Sequence, residues 1–132
     1  MAILVVALGG LLVVGLIVSA RRRDDFDHTM TRVQVEAKAA GDSVDMGAFR
    51  SAWVEQIVGG EAQVGSSPAA GLVPELVGAH AELYAVTPTG VVIDYQVDRG
   101  GQQGCVRLIR STEGTEVRSA RHVCRGAFPE AP

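Results

Sequence analysis

Residues 2–20, AILVVALGGLLVVGLIVSA, contain no charged side chain and no proline. As a helix this stretch is about 29 Å long, close to the roughly 30 Å hydrocarbon core of a bilayer. A helix apolar on every face has no place in the core of a small domain, so the segment predicts a transmembrane anchor over residues 1–20. Its glycines are acceptable there, since glycine is common in membrane spans. A cleavable signal peptide is the competing reading, because Val18-Ser19-Ala20 offers small residues at a cleavage position. The basic n-region of such a peptide is missing, and the apolar run exceeds the usual length.

Over residues 26–40 two periods compete. Phe26, Met30, Val33, Ala37 and Ala40 recur at heptad spacing, whereas residues 32–39 alternate like a strand. The strong helix formers of EAKAA and a capping position at Gly41 favour a juxtamembrane helix within residues 21–45. Residues 46–58 read as an amphipathic helix. Asp45 is its N-cap, Gly59 its C-cap, and Phe49, Trp53 and Ile57 form one apolar stripe directed at the core. Residues 59–71 show no apolar pattern and predict a flexible connector. Pro74 suits the first position of a further short helix.

From residue 82 onward the period becomes two. Val91, Ile93, Tyr95 and Val97 alternate with Val92, Asp94, Gln96 and Asp98, as in a half-buried strand. Turn residues at Pro88-Thr89-Gly90 and near Thr112–Thr115 separate the runs. The expectation is α+β: a transmembrane helix, amphipathic helices, then a small antiparallel meander of three to four strands. The small domain then covers residues 46–126, the Trp53 helix packs on its sheet, and residues 127–132 form a tail.

A type II′ turn at Gly114-Thr115 would pair residues whose numbers sum to 229, which sets Cys105 opposite Cys124. Directly opposed residues stand close enough for a disulfide. On that register the cysteines share the outer face with Arg107 and His122, while Val106, Leu108, Val117 and Val123 face the core. A Cys105–His122–Cys124 metal site and two free thiols are the other readings of this pair.

Charge bears on location. Arg21, Arg22 and Arg23 are followed by a stretch, residues 24–100, with 12 acids and 4 bases, and residues 101–132 are basic again. An acidic middle disfavours nucleic-acid binding, which draws on clustered cations. By the positive-inside rule Arg21 to Arg23 are the topology determinant and place the soluble part in the cytoplasm. A disulfide would place it outside. The bases are 11 arginines to one lysine and asparagine is absent, a composition that suggests a GC-rich bacterial genome.

No catalytic constellation, cofactor motif or glycine-rich phosphate loop is present in the sequence, and DDFDH at residues 24–28 reads as a solvated charge cluster beside the arginines. The expectation is therefore a non-enzymatic protein without a cofactor, anchored in the lipid bilayer through residues 2–20. Its partner would be another membrane-associated protein. The plan of an apolar helix running into an amphipathic one, then a meander with two C-terminal cysteines, resembles type IV pilins and pseudopilins. That resemblance implies an extracytoplasmic structural subunit with a C-terminal disulfide. It is one of layout, for the family's glycine–aromatic processing site, its glutamate and its basic leader have no counterpart here.

Overall fold

A computed structural model gives the fold. It describes the backbone of residues 2–53, 61–64 and 68–128, and the side chains of the same residues apart from 2–20, 53, 61, 68 and 69. Helix α1 spans Ala2–Asp42 without a break, about 61 Å of helix. Helix α2 follows at Met46–Trp53. Strands β1 (Glu61–Gln63), β2 (His80–Thr87), β3 (Gly90–Arg99), β4 (Gln102–Ser111) and β5 (Gly114–Ala120) form one antiparallel meander in chain order. The fold is α+β, with five strands where the alternation alone predicted three to four.

The C-terminal half of α1 lies across the sheet and supplies most of its packing. Phe26, Met30, Val33 and Ala37 are its buried seam, and Val35, which a strand would have turned inward, is 67% exposed. They meet Val91, Ile93, Tyr95 and Val97 of β3 and Val106 and Leu108 of β4 in one core. The helix can lie so close because β4 has Gly104 beneath it. A Cβ there would stand 2.7 Å from the Met30 sulfur and 2.9 Å from the Phe26 ring. Gly41 is not a cap, since the helix continues to Asp42; its lack of a side chain makes room for Thr115 of β5. The Thr115 hydroxyl donates to Asp42 at 2.8 Å and ties the upper end of α1 to the sheet.

Helix α2 packs at the margin of the sheet, so the expectation that the Trp53 helix covers it is replaced by α1. Asp45 caps α2 as predicted, accepting from the Ala48 amide at 3.0 Å. Phe49 is fully buried and meets Tyr84 edge to face, ring centres 5.8 Å apart. Arg50 donates to the carbonyls of Thr87 and Pro88 and so fixes α2 to the β2–β3 turn. The Trp53 side chain and Ile57 lie outside the described residues.

The connector expected over 59–71 contains structure in its described parts: β1 adds to β2 with Ala62 opposite Tyr84, and Pro68–Leu72 form a 3-10 turn. No helix starts at Pro74; Leu76 and Ala79 form an isolated bridge instead. Among the residues whose side chains are described, no helix is long and apolar enough to cross a membrane. The predicted anchor, residues 2–20, falls on the part of α1 whose side chains are not described.

Candidate functional site

The sheet has two faces, and the chemistry lies on the one away from α1. There Gln96 pairs with Cys105 across β3 and β4, Asp94 with Arg107, and Val92 with Ile109. Alternation predicted this row to be the solvated side. Instead Val92, Asp94, Gln96, Cys105 and Arg107 are all buried. The cover is the chain after β5, which turns back over the sheet as a strap. Its Cys124 is bonded to Cys105, its Cys124 amide donates to Gln96 Oε1 at 2.9 Å, and its Phe128 ring lies 4.6 Å from the Arg107 guanidinium.

The disulfide thus exists, but the register predicted for it does not. Ser111 pairs with Gly114, so the hairpin turns at Thr112-Glu113 and Cys105 faces Ala120. Cross-strand numbers sum to 225, four less than expected. Cys124 reaches Cys105 by folding back past the end of β5, with the two Cα atoms 4.8 Å apart, within the usual disulfide range. Both cysteines are buried, not superficial. With both sulfurs bonded to each other, the metal reading of Cys105, His122 and Cys124 fails, as does the reading as two free thiols. His122 lies exposed, its Nδ1 2.7 Å from the Val123 carbonyl oxygen. Among the described residues no three His, Cys, Asp or Glu side chains could hold a metal ion together.

Under the strap the buried charges satisfy one another. Arg107 donates through Nε to Asp94 Oδ1 at 2.8 Å and through an Nη to Asp94 Oδ2 at 3.0 Å. The bidentate geometry is the strongest form of this pair. Gln96 accepts from the strap and donates to Asp98 at 3.0 Å. On the opposite face the Tyr95 hydroxyl donates to the Pro74 carbonyl at 2.7 Å, and burial raises its pKa far above the usual tyrosine value.

A second group collects where α1 enters the sheet. Arg21, Arg22 and Arg23 are exposed. The tight β3–β4 turn at Gly100-Gly101, both glycines at positive φ, comes down beside them: a Cβ on Gly100 would lie 3.5 Å from that of Arg22. Arg121, just past β5, pairs with Asp27 and lies 5.7 Å from the centre of the Phe26 ring. Sequence reasoning singled out Arg21 to Arg23 but had no means of joining Arg99 and Arg121 to them. The burial of Asp94, Gln96 and Arg107 under the strap and the contact of Phe128 were likewise missed, because alternating polar residues in a strand ordinarily signal a wet face. No protein-family profile, curated protein or solved structure matches the chain.

Proposed function

We propose that this chain is a single-pass, membrane-anchored, non-catalytic protein whose α+β head stands on the extracytoplasmic side and serves as a structural or interaction module. The observation that carries the reading is the buried Cys105–Cys124 disulfide, which clamps the C-terminal strap to strand β4 of the head. Disulfides persist in oxidising compartments and are rare in reducing ones. An anchor over residues 2–20 is the use that best suits 19 uncharged residues in helical continuity with the head. An interaction role suits a head in which Asp94 is engaged with Arg107, Gln96 with the strap and Tyr95 with Pro74.

Arg21 to Arg23 argue for the opposite orientation under the positive-inside rule. The disulfide is given more weight, because arginine bias is one input to insertion whereas a structural disulfide constrains the compartment in which the finished protein resides. A second reading, a pilin-like assembly subunit, is favoured by one further observation. The seam of α1 that packs on the meander continues directly from the apolar half of the same helix.

Orientation is tested with Val77→Cys, at a site 68% exposed, in cells expressing the full chain. An impermeant maleimide labels this thiol in intact cells if the head is outside. Labelling only after lysis, together with cysteines that alkylate in denaturant without reduction, refutes the proposal. Covalent ladders formed through the same thiol with a bifunctional maleimide would favour the assembly subunit over the solitary anchor.

A further inference from the structure

We infer that the end of the head nearest residue 20 is a docking surface for anionic phospholipid headgroups, built from Arg21, Arg22, Arg23, Arg99 and Arg121. The inference rests on the membrane anchor proposed above, and it assigns the arginines a role beyond topology. The fold brings them together from three parts of the chain. Helix α1 runs from residue 21 toward its Thr115 contact at Asp42, and β4 runs alongside it from Gln102 to Ser111. The β3–β4 turn and the end of β5 therefore lie at the same end of the head as Arg21. The contacts of Gly100 with Arg22 and of Arg121 with Asp27 fix that placement.

Three properties suit this end to a lipid surface. Arg21, Arg22, Arg23, Arg99 and Arg121 are all exposed. Among the described residues, only Arg121 of the five is ion-paired, and the others gather like charge at one end without a carboxylate partner. The acids of the neighbourhood stand differently: Asp27 is held by Arg121 and Asp98 by Gln96, and Asp24 and Asp25 follow the arginines along α1, farther from residue 20. An anchor ending at residue 20 would bring the arginine layer to headgroup depth, where long basic side chains extend into the interface. Each arginine held near an anionic surface changes the local equilibrium by on the order of fivefold. Several acting together would hold that end of the head against the bilayer surface.

The test uses the full chain carrying Gln103→Cys, an exposed position beside the β3–β4 turn. The native cysteines are bonded and buried, so a fluorophore goes to this thiol alone. The protein is added to vesicles of phosphatidylcholine and to vesicles of phosphatidylcholine mixed with phosphatidylglycerol, both carrying a headgroup-linked energy acceptor. Flotation with neutral vesicles reports the anchor by itself. The expected result is energy transfer several-fold higher in the anionic vesicles, abolished by salt near 1 M, where the Debye length falls to about 3 Å. Arg22→Gln and Arg99→Gln, which break no described ion pair, should each lower it. Equal transfer in both vesicle types overturns the docking surface while leaving the anchor intact. Flotation with anionic vesicles only, reversed by salt, overturns the anchor and keeps the docking surface. Flotation with neither overturns both, and an acidic protein would then be the partner to seek.

Discussion

The two faces of the sheet are buried by different means. The face toward α1 is covered by a helix whose apolar seam meets an apolar row, and its stability comes from removing hydrocarbon from water. The other face is covered by a short strap held by a covalent bond, an amide hydrogen bond and a cation–ring contact, over a polar row whose Asp94 and Arg107 form a bidentate ion pair. Burial by apolar contact tolerates small losses. Burial of charge does not, because an unpaired charge under the strap has neither water nor a counter-ion. The difference teaches that this small head depends on its last residues as much as on its core.

The sharpest way to break the contrast is Asp94→Ala. Leaving the Arg107 guanidinium buried without its carboxylate should cost about 3–5 kcal/mol, read as a fall in the urea midpoint. Replacing both partners, Asp94→Leu with Arg107→Met, should recover most of that loss, which separates the charge from the packing. Removing the disulfide through Cys105→Ala with Cys124→Ala should cost about 3 kcal/mol, given a sequence separation of 19 residues. It should also speed hydrogen exchange at the Cys124 amide before exchange in β3 rises; uniform acceleration would mean that the strap is not a separate unit. On the helix side, Gly104→Val would push a side chain into Met30 and Phe26 and should cost about 1–3 kcal/mol.

The smallest effect is one of pH. Tyr95 has its folded pKa raised above the ordinary 10 by burial. The folded and unfolded chains hold its proton alike below pH 10. Above it the unfolded chain releases the proton first, so stability should fall as pH rises, by at most about 1.4 kcal/mol per pH unit. Tyr95→Phe should flatten that slope in denaturation curves taken at about pH 9 and about pH 11. A slope unchanged by the substitution would assign it to other groups.

Much of the helix side was legible in advance. The spacing of Phe26, Met30, Val33 and Ala37 carries a helical seam in its own period, and Val91, Ile93, Tyr95 and Val97 carry a strand in theirs. The strap side was not legible. Asp94, Gln96 and Arg107 occupy alternate positions in the manner of a solvated face, and nothing local distinguishes a polar residue under cover from one in water. The cysteine pairing was reached through a register that the chain does not use. Its success rests on there being two cysteines near the end of the chain, since the strap, and not cross-strand opposition, brings Cys124 to Cys105.

By itself the sequence determined the α+β plan, the apolar 2–20 segment, the capped α2 and the alternation of β3, because each depends on periods and propensities that neighbouring residues share. Tertiary structure alone decided the fifth strand, the turn at Thr112-Glu113, the strap over Asp94 and Arg107, and the approach of the β3–β4 turn to Arg22 and of Arg121 to Asp27. These depend on contacts between residues far apart in the chain. The free energy of such contacts exists only once the chain has closed on itself, so no local pattern announces them.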